Sequence, residues 1–317
     1  MRNEFIIGSR GSDLALWQAN FVRSGLVQRF PENIFTIKII RTTGDEQLEV
    51  ALSKIGDKGL FTRQIETKLL RGEIDIAVHS LKDLQTVQPN GLTIGAVCER
   101  ELPNDVFISK HAAAIDDLGH GANVATGSLR RKSQLLNHRP DLNVAGIRGN
   151  VPTRIRKFNE SDLDGMILAF AGLHRLGLDA AVSQIIPFEI MLPAVGQGAV
   201  AIEIRSDDEK IAELTAALEH SPTRKCVDAE RSFLRRLEGG CQVPIGAIAT
   251  IADENIRLEG MVGSLDGKII YREFLNGSAD DSEELGIRLA ELLISKGANE
   301  LLEENRKQGD TSAEAVI

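Results

Sequence analysis

The chain is poor in cysteine, in large aromatics and in long apolar runs, and each shortage removes a class of function. Its three cysteines, Cys98, Cys226 and Cys241, show no CxxC spacing, and its six histidines contain no H-x-x-x-H pair. A structural metal site is therefore not expected. An odd cysteine count without a spacing framework points to a reducing compartment. Arg2 and Glu4 precede an apolar run of only Phe5-Ile6-Ile7, too short for the core of a signal peptide. No apolar stretch approaches the ~20 residues that span a bilayer. These features predict a cytoplasmic protein with no membrane partner. One Trp, one Tyr and a net charge of −9 argue against nucleic acid as a partner. No G-x-x-x-x-G-K-[ST] is present, so nucleoside triphosphates are not the natural ligand.

What is present is an alternation of short apolar runs and amphipathic stretches. Strands are predicted at 5–9, 35–41, 75–79 and 93–98, with helices at 14–30 and from a Thr62 cap to about 71. This βαβ pattern implies a largely parallel sheet covered by helices. A charged, proline-containing break at 99–105 reads as a linker. The alternation restarts from 106 and closes at Pro187–Pro193. A glycine-rich hinge at 194–198 then leads into an apolar run through Ile204. Two linkers, one leaving and one returning, suit two lobes joined by crossing strands. The last third differs, with a helix from Ser221, three antiparallel strand-like runs at 245–251, 256–262 and 269–275, and a helix from Ser282. The fold class is α/β: two lobes with mixed, largely parallel sheets and a C-terminal α+β domain. The expected boundaries are 1–99 with 199–217, 104–193 and 221–306, followed by a polar tail at 307–317 that frays.

The arginines cluster at strand and helix ends. Arg10 follows a strand, Arg130 and Arg131 follow Thr126-Gly127-Ser128, Arg148 precedes Gly149-Asn150, Arg154 comes soon after, and Arg175 closes a helix. In open α/β sheets ligands bind beyond the carboxyl ends of the strands. Permanently charged guanidinium groups beside Ser, Thr and free helix N–H groups make a receptor for carboxylates or phosphates. Any one of these arginines alone reads as a solvated surface residue; the set, in an acidic chain, points to an anionic ligand. Asp83, beyond the apolar strand that ends in His79-Ser80, has two readings. It can balance positive charge developing on a reacting ligand, or it can cap a helix or pair with Lys82. His79 is a candidate base or a hydrogen-bonded core residue. Lys54, Lys58 and Phe61 lie in a glycine-punctuated stretch, a mobile lid or a plain connector.

Cys241 stands apart from the other cysteines. It sits in Glu238-Gly239-Gly240-Cys241-Gln242-Val243-Pro244, after two glycines and before a proline. That suits a nucleophile or a covalent attachment point, although a buried small hydrophobe is the ordinary alternative. Cys98 ends an apolar strand and Cys226 lies in a helical pattern, so both read as core residues.

These residues together resemble the porphobilinogen deaminase (hydroxymethylbilane synthase) family. The likeness rests on Gly8-Ser9-Arg10-Gly11-Ser12, Lys58-Gly59-Leu60-Phe61, Val78-His79-Ser80-Leu81-Lys82-Asp83 and Gly127-Ser128-Leu129-Arg130-Arg131. It continues through Arg148-Gly149-Asn150-Val151, Pro193-Ala194-Val195-Gly196-Gln197-Gly198 and the Cys241 stretch, in the family's order. The resemblance implies two lobes like those of periplasmic binding proteins, with a third domain presenting the cysteine. It implies a monomeric enzyme of tetrapyrrole biosynthesis that joins four porphobilinogen molecules into hydroxymethylbilane and releases four ammonia. It implies a dipyrromethane cofactor joined to Cys241 by a thioether, and Asp83 as the catalytic carboxylate. By the same similarity Arg10, Ser12, Lys82, Ser128, Arg130, Arg131, Arg148, Arg154 and Arg175 hold cofactor and substrate carboxylates, with Ser80, Thr126 and Gln197 in support. Asp13, Gln85 and Pro152 depart from the family's usual proline, proline and glycine. Pro152 is compatible with the first turn of a helix; Gln85 loosens the turn that aims Asp83.

Overall fold

The computed structural model describes residues 2–42, 62–237 and 243–314, with the backbone alone for 308–314. The chain divides into two compact units. The first gathers the described residues within Met1–Leu48, Asp57–Glu101 and Gly198–Arg224; the second gathers those within Leu102–Gln197 and Lys225–Ile317.

The first unit is built on a five-stranded sheet in the order β2-β1-β3-β10-β4. Its strands are β1 (Glu4–Ser9), β2 (Ile34–Ile39), β3 (Ile76–Ser80), β4 (Leu92–Val97) and β10 (Val200–Arg205). β1 runs parallel to β2 and β3, whereas β10 runs antiparallel to β3 and β4. Helix Asp13–Arg29 packs Ala19, Val22 and Leu26 onto this sheet with Phe5, Ile7 and Val78. Cys98 belongs to the same apolar cluster. Helix Arg63–Leu70 begins after Thr62 as expected, but the Thr62 side chain makes no cap bond because its backbone is already helical.

In the second unit another five-stranded sheet runs β7-β6-β8-β5-β9. Its members are β5 (Asp105–Ser109), β6 (Asn123–Ala125), β7 (Asn143–Ala145), β8 (Gly165–Ala169) and β9 (Gln184–Ile185). β6 is parallel to β7 and β8, and β5 is antiparallel to β8. The same unit carries a three-stranded antiparallel sheet of β11 (Ile245–Ala252), β12 (Asn255–Gly263) and β13 (Ile270–Ser278). The mixed α/β sheets and the separate antiparallel sheet match the expected class. Helices Ser221–Arg236 and Ser282–Ser295 cover that sheet through Phe233, Leu285 and Leu289. Cys226 packs in this core. Helix Ala298–Glu314 carries the backbone in regular structure through most of the stretch expected as a fraying tail.

The return segment of the chain is pinned within the second unit. Leu192 exchanges hydrogen bonds with Gln134, Pro193 O accepts from Ala247 N at 3.1 Å, and Gly196 N donates to Glu230. A short glycine-rich stretch read as a hinge is thus anchored until Gln197. Gly198, the next residue, is a tight point in the first unit. Its φ is +88°, and a Cβ there would lie 2.4 Å from Glu101 O. Both the positive φ and the close carbonyl demand glycine. We expect Gly198→Ala to cost about 1–3 kcal/mol of stability, seen as a lower urea midpoint with an unchanged denaturant slope.

Candidate active site

In the first unit the candidate residues are set by the ends of β1 and β3. Arg10 follows β1, and Ser12 caps the helix Asp13–Arg29, its Oγ accepting from Ala15 N at 3.4 Å. Gln18, on the buried side of that helix, donates to Ser80 Oγ at 2.8 Å and so ties the helix to the end of β3. The chain then turns through one 3-10 turn, Leu81–Asp83, with Leu81 buried beneath it. Leu81 anchors the turn while Asp83 stays exposed. Asp83 is the last residue of this turn and not a helix N-cap. A cavity of about 70 Å³ opens here, and Arg10, Ser12, Gln18, His79, Ser80 and Asp83 are among its walls. His79 is buried in β3, with Nε2 3.2 Å from Glu203 Oε2. Lys82 is half-buried on the same turn, outside the cavity lining.

In the second unit the arginines fall into two groups. Arg130 and Arg131 open the helix Leu129–His138, whose N-cap Ser128 accepts from Arg131 N at 3.4 Å. Thr126 Oγ1 in turn accepts from Ser128 N. Both guanidinium groups are buried and turn onto Asp105, the first residue of β5. Arg130 Nη1 donates to Asp105 Oδ2 at 2.6 Å; Arg131 Nη2 and Nε donate to Oδ1 at 2.8 and 3.1 Å. Gln197 adds its amide to Oδ1 at 2.9 Å and reaches Pro103 O at 2.7 Å. Burial by itself pushes the Asp105 carboxyl up, but the two guanidinium charges outweigh it and hold the group well below the carboxylate range. Burial pulls Arg130 down from its ordinary value, against the opposing Asp105 charge.

The second group surrounds the start of helix Val151–Asn159. Asn150 caps it by accepting from Thr153 N at 2.9 Å, and Pro152 lies in its first turn, where its missing N–H costs nothing. The departure at Pro152 thus leaves the helix intact. Arg154 Nε donates to Gly149 O at 2.7 Å. The half-buried Arg148 guanidinium lies beside Gly127, where a Cβ would come within 3.7 Å of its carbon and 3.2 Å of Ile147 O. The glycine leaves open the space in front of Arg148. Arg175 is the C-cap of the short helix Phe170–His174. Cys241, Lys54, Lys58 and Phe61 lie outside the described residues.

Asp105 is the residue the sequence reading passed over. It was counted as the end of a charged linker, yet it stands directly before the apolar run Val106-Phe107-Ile108. A carboxylate at the mouth of a buried strand was the available signal, because such a group needs buried donors. A larger cavity, about 370 Å³, is lined by His111, Asp117, His120 and Asp164 and contains none of the candidate residues. Among the described residues no cluster of three or more His, Cys, Asp or Glu is arranged to hold a metal, and no helix is long and apolar enough to cross a membrane.

The sequence compares closely with known proteins. The family model described as porphobilinogen deaminase, dipyromethane cofactor binding domain, matches residues 5–213, and that for the porphobilinogen deaminase C-terminal domain matches 224–295. The chain belongs to the porphobilinogen deaminase family. It is 54% identical to a porphobilinogen deaminase of Desulforudis audaxviator over 302 residues, covering 95% of this chain and 98% of that one. It is 51% identical to that of Pelotomaculum thermopropionicum over 308 residues, covering 97% and 99%. Among solved structures, a methionine-binding protein, MetQ, aligns with a TM-score of 0.42 at 12% identity, covering 68% of this chain and 89% of that one.

The geometry fits the cofactor after which the family domain is called. Arg130 and Arg131 share one carboxylate, so the buried set keeps one positive charge in excess. An uncompensated buried charge is costly, and an arriving carboxylate would offset it. Asp105→Asn would remove the anion that both buried guanidinium groups contact. We expect it to destabilise the protein by about 3–5 kcal/mol in urea unfolding at neutral pH. The sign with pH follows from the depressed carboxyl. Its contribution is complete above the unfolded value of ~4 and is lost as pH falls below that. The gap between wild type and Asp105→Asn should therefore close under acid.

Proposed function

We propose that this chain joins four molecules of porphobilinogen head to tail into hydroxymethylbilane, releasing four ammonia, as a transferase of tetrapyrrole biosynthesis. The observation that carries the reading is the excess positive charge buried at Arg130 and Arg131 in a chain of this family. Every porphobilinogen ring bears an acetate and a propionate. A growing chain therefore demands guanidinium partners in number, which an otherwise acidic protein supplies at these positions. On this reading Arg130, Arg131, Arg148, Arg154 and Arg175, with Ser128 and Thr126, hold carboxylates in the second unit. Arg10, Ser12 and Lys82 do so in the first, supported by Ser80, and Gln197 steadies Asp105.

When bound through Cys241, a dipyrromethane supplies the free α-carbon to which the first substrate ring is joined. The chain's own residues do the rest. Asp83, exposed at the cavity that Arg10 and Ser12 also line, sets a fixed negative charge where porphobilinogen becomes cationic on losing ammonia. A carboxylate aimed at charge that develops in the transition state lowers the barrier without reorganising. The buried Leu81 and the Gln18–Ser80 bond keep the turn in place, so little entropy is lost in aiming it. The same reading takes residues 1–99 with 199–217 and 104–193 as two lobes, 221–306 as the domain that presents the cofactor, and 54–61 as a lid. It takes the protein as a cytoplasmic monomer needing no nucleic acid or membrane.

Two measurements test this. Intact mass spectrometry of the purified protein should show an excess of one two-ring pyrrole adduct, which Cys241→Ser abolishes; an active wild type of unmodified mass would refute it. Asp83→Asn should keep the adduct but slow ammonia release by ~10²–10⁴-fold. Turnover near wild type would leave Asp83 a surface carboxylate.

A further inference from the structure

Behind the Asp83 cavity lies a buried group of ionisable side chains that the reaction as described above does not use. β3 is an apolar strand interrupted by one histidine, and β10 an apolar strand interrupted by one glutamate. In their antiparallel register His79 pairs with Ala201 and Glu203 with Ala77. The two polar residues are therefore diagonal neighbours, within reach of long side chains. His79 Nε2 and Glu203 Oε2 meet at 3.2 Å, with Glu203 fully buried and His79 5% exposed. A second carboxylate, Glu66 on the helix Arg63–Leu70, is also buried. Glu66 Oε1 and Glu203 Oε1 have no hydrogen-bond partner among the described residues.

The charges in this group do not balance. Two buried carboxylates meet one imidazole beneath the cavity, with Arg63 exposed at the start of the helix, so full ionisation would set two negative charges close together out of water. Burial pushes the Glu66 carboxyl above its ordinary value and the Glu203 charge adds to the push, while the Thr62 hydroxyl, His79 and Arg63 oppose it. Burial and the neighbouring Glu203 charge thus both favour the protonated form of Glu66. When Nε2–H donates to Glu203, the lone pair lies on Nδ1, for which no described residue supplies a hydrogen bond. Both His79 and Thr62, the residue that precedes the Glu66 helix, line the cavity with Asp83.

The geometry points to Glu66, His79 and Glu203 as a buried proton relay, with His79 accepting the proton that the attacking ring loses at each condensation. This rests on the function proposed above and adds a base to it. The aminomethyl group of porphobilinogen leaves as ammonia and takes the C–N bonding pair. The free α-carbon of the chain-end ring then forms the new C–C bond with its π electrons. Its α C–H bond breaks, the electron pair restores the aromatic ring, and the proton passes to the imidazole. Glu203 stabilises the imidazolium, which then returns the proton to ammonia as ammonium. One proton is lost and one ammonia gained per ring, so no other reactant is needed. Asp83, which must stay anionic beside the cation, is thereby relieved of acting as the base.

His79→Gln and Glu203→Gln, both confirmed by mass as cofactor-loaded, separate this role from a structural one. With His79→Gln we expect turnover to fall ~10²–10⁴-fold. We also expect a primary isotope effect, absent from wild type, with porphobilinogen deuterated at the free α-carbon. Glu203→Gln keeps a hydrogen-bonding side chain but removes the charge that favours imidazolium. Glu203 from β10 and Glu66 from the helix face the ring, with Arg10 and Asp83 across the cavity, so the Glu203→Gln change removes the negative charge nearest the imidazole. The acid limb of kcat/KM should move to lower pH by the same amount as the His79 ring titration followed by nitrogen NMR. Turnover near wild type in His79→Gln, a slow variant without an isotope effect, or an acid limb that stays put in Glu203→Gln would overturn the relay. Under any of these, an active wild type leaves the proposed function standing; a wild type that releases no ammonia refutes both.

Discussion

A single buried carboxylate organises the second unit. Asp105 begins β5, and the donors that satisfy it come from the helix Leu129–His138 and from Gln197 at the end of the return segment. Arg130 also bonds Leu192 O, which Gln134 shares, and the adjoining Pro193 accepts from β11. One interaction thus links a strand, a helix, a connecting segment and, through Pro193, the antiparallel sheet. Two guanidinium groups against one carboxylate leave the cluster positive. On the reading proposed above, a carboxylate of the cofactor or substrate would offset that charge.

The first unit shows the opposite balance. Glu66, Glu203 and His79 bring more potential negative charge than positive into the interior beneath Asp83. On the proposed reading the one unit binds anions and the other holds and releases protons. These are the two demands of a reaction whose substrate carries two carboxylates and whose every cycle forms a cation and loses a proton.

Much of this was legible in the chain as written. Apolar runs placed the strands; the caps Ser12, Ser128 and Asn150 work because short polar side chains satisfy helix N–H groups locally, whereas the cap expected at Thr62 makes no such bond. The motif around Asp83 was readable because its meaning is local: a buried strand, one turn and an exposed carboxylate. Asp105 was not readable in the same way. Its partners lie 25, 26 and 92 residues away, and a charged residue after a proline looks like a linker until they arrive. The same holds for His79, whose partner Glu203 is 124 residues distant. The short strand Gln184–Ile185 was missed since two residues give no period to detect.

The sequence by itself determined the kinds of element, their order and the family, because periodicity, capping and motif order are properties of neighbouring residues. The tertiary structure decided which charges neutralise one another. Arg130 and Arg148 look alike in sequence, both lying between a strand and the body of a helix, Arg130 in the helix's first turn and Arg148 just before it. Folding buries the first against Asp105 and leaves the second half-buried beside Gly127. The energy of a charge depends on its burial and on its nearest opposite charge, and both are set only when distant segments meet.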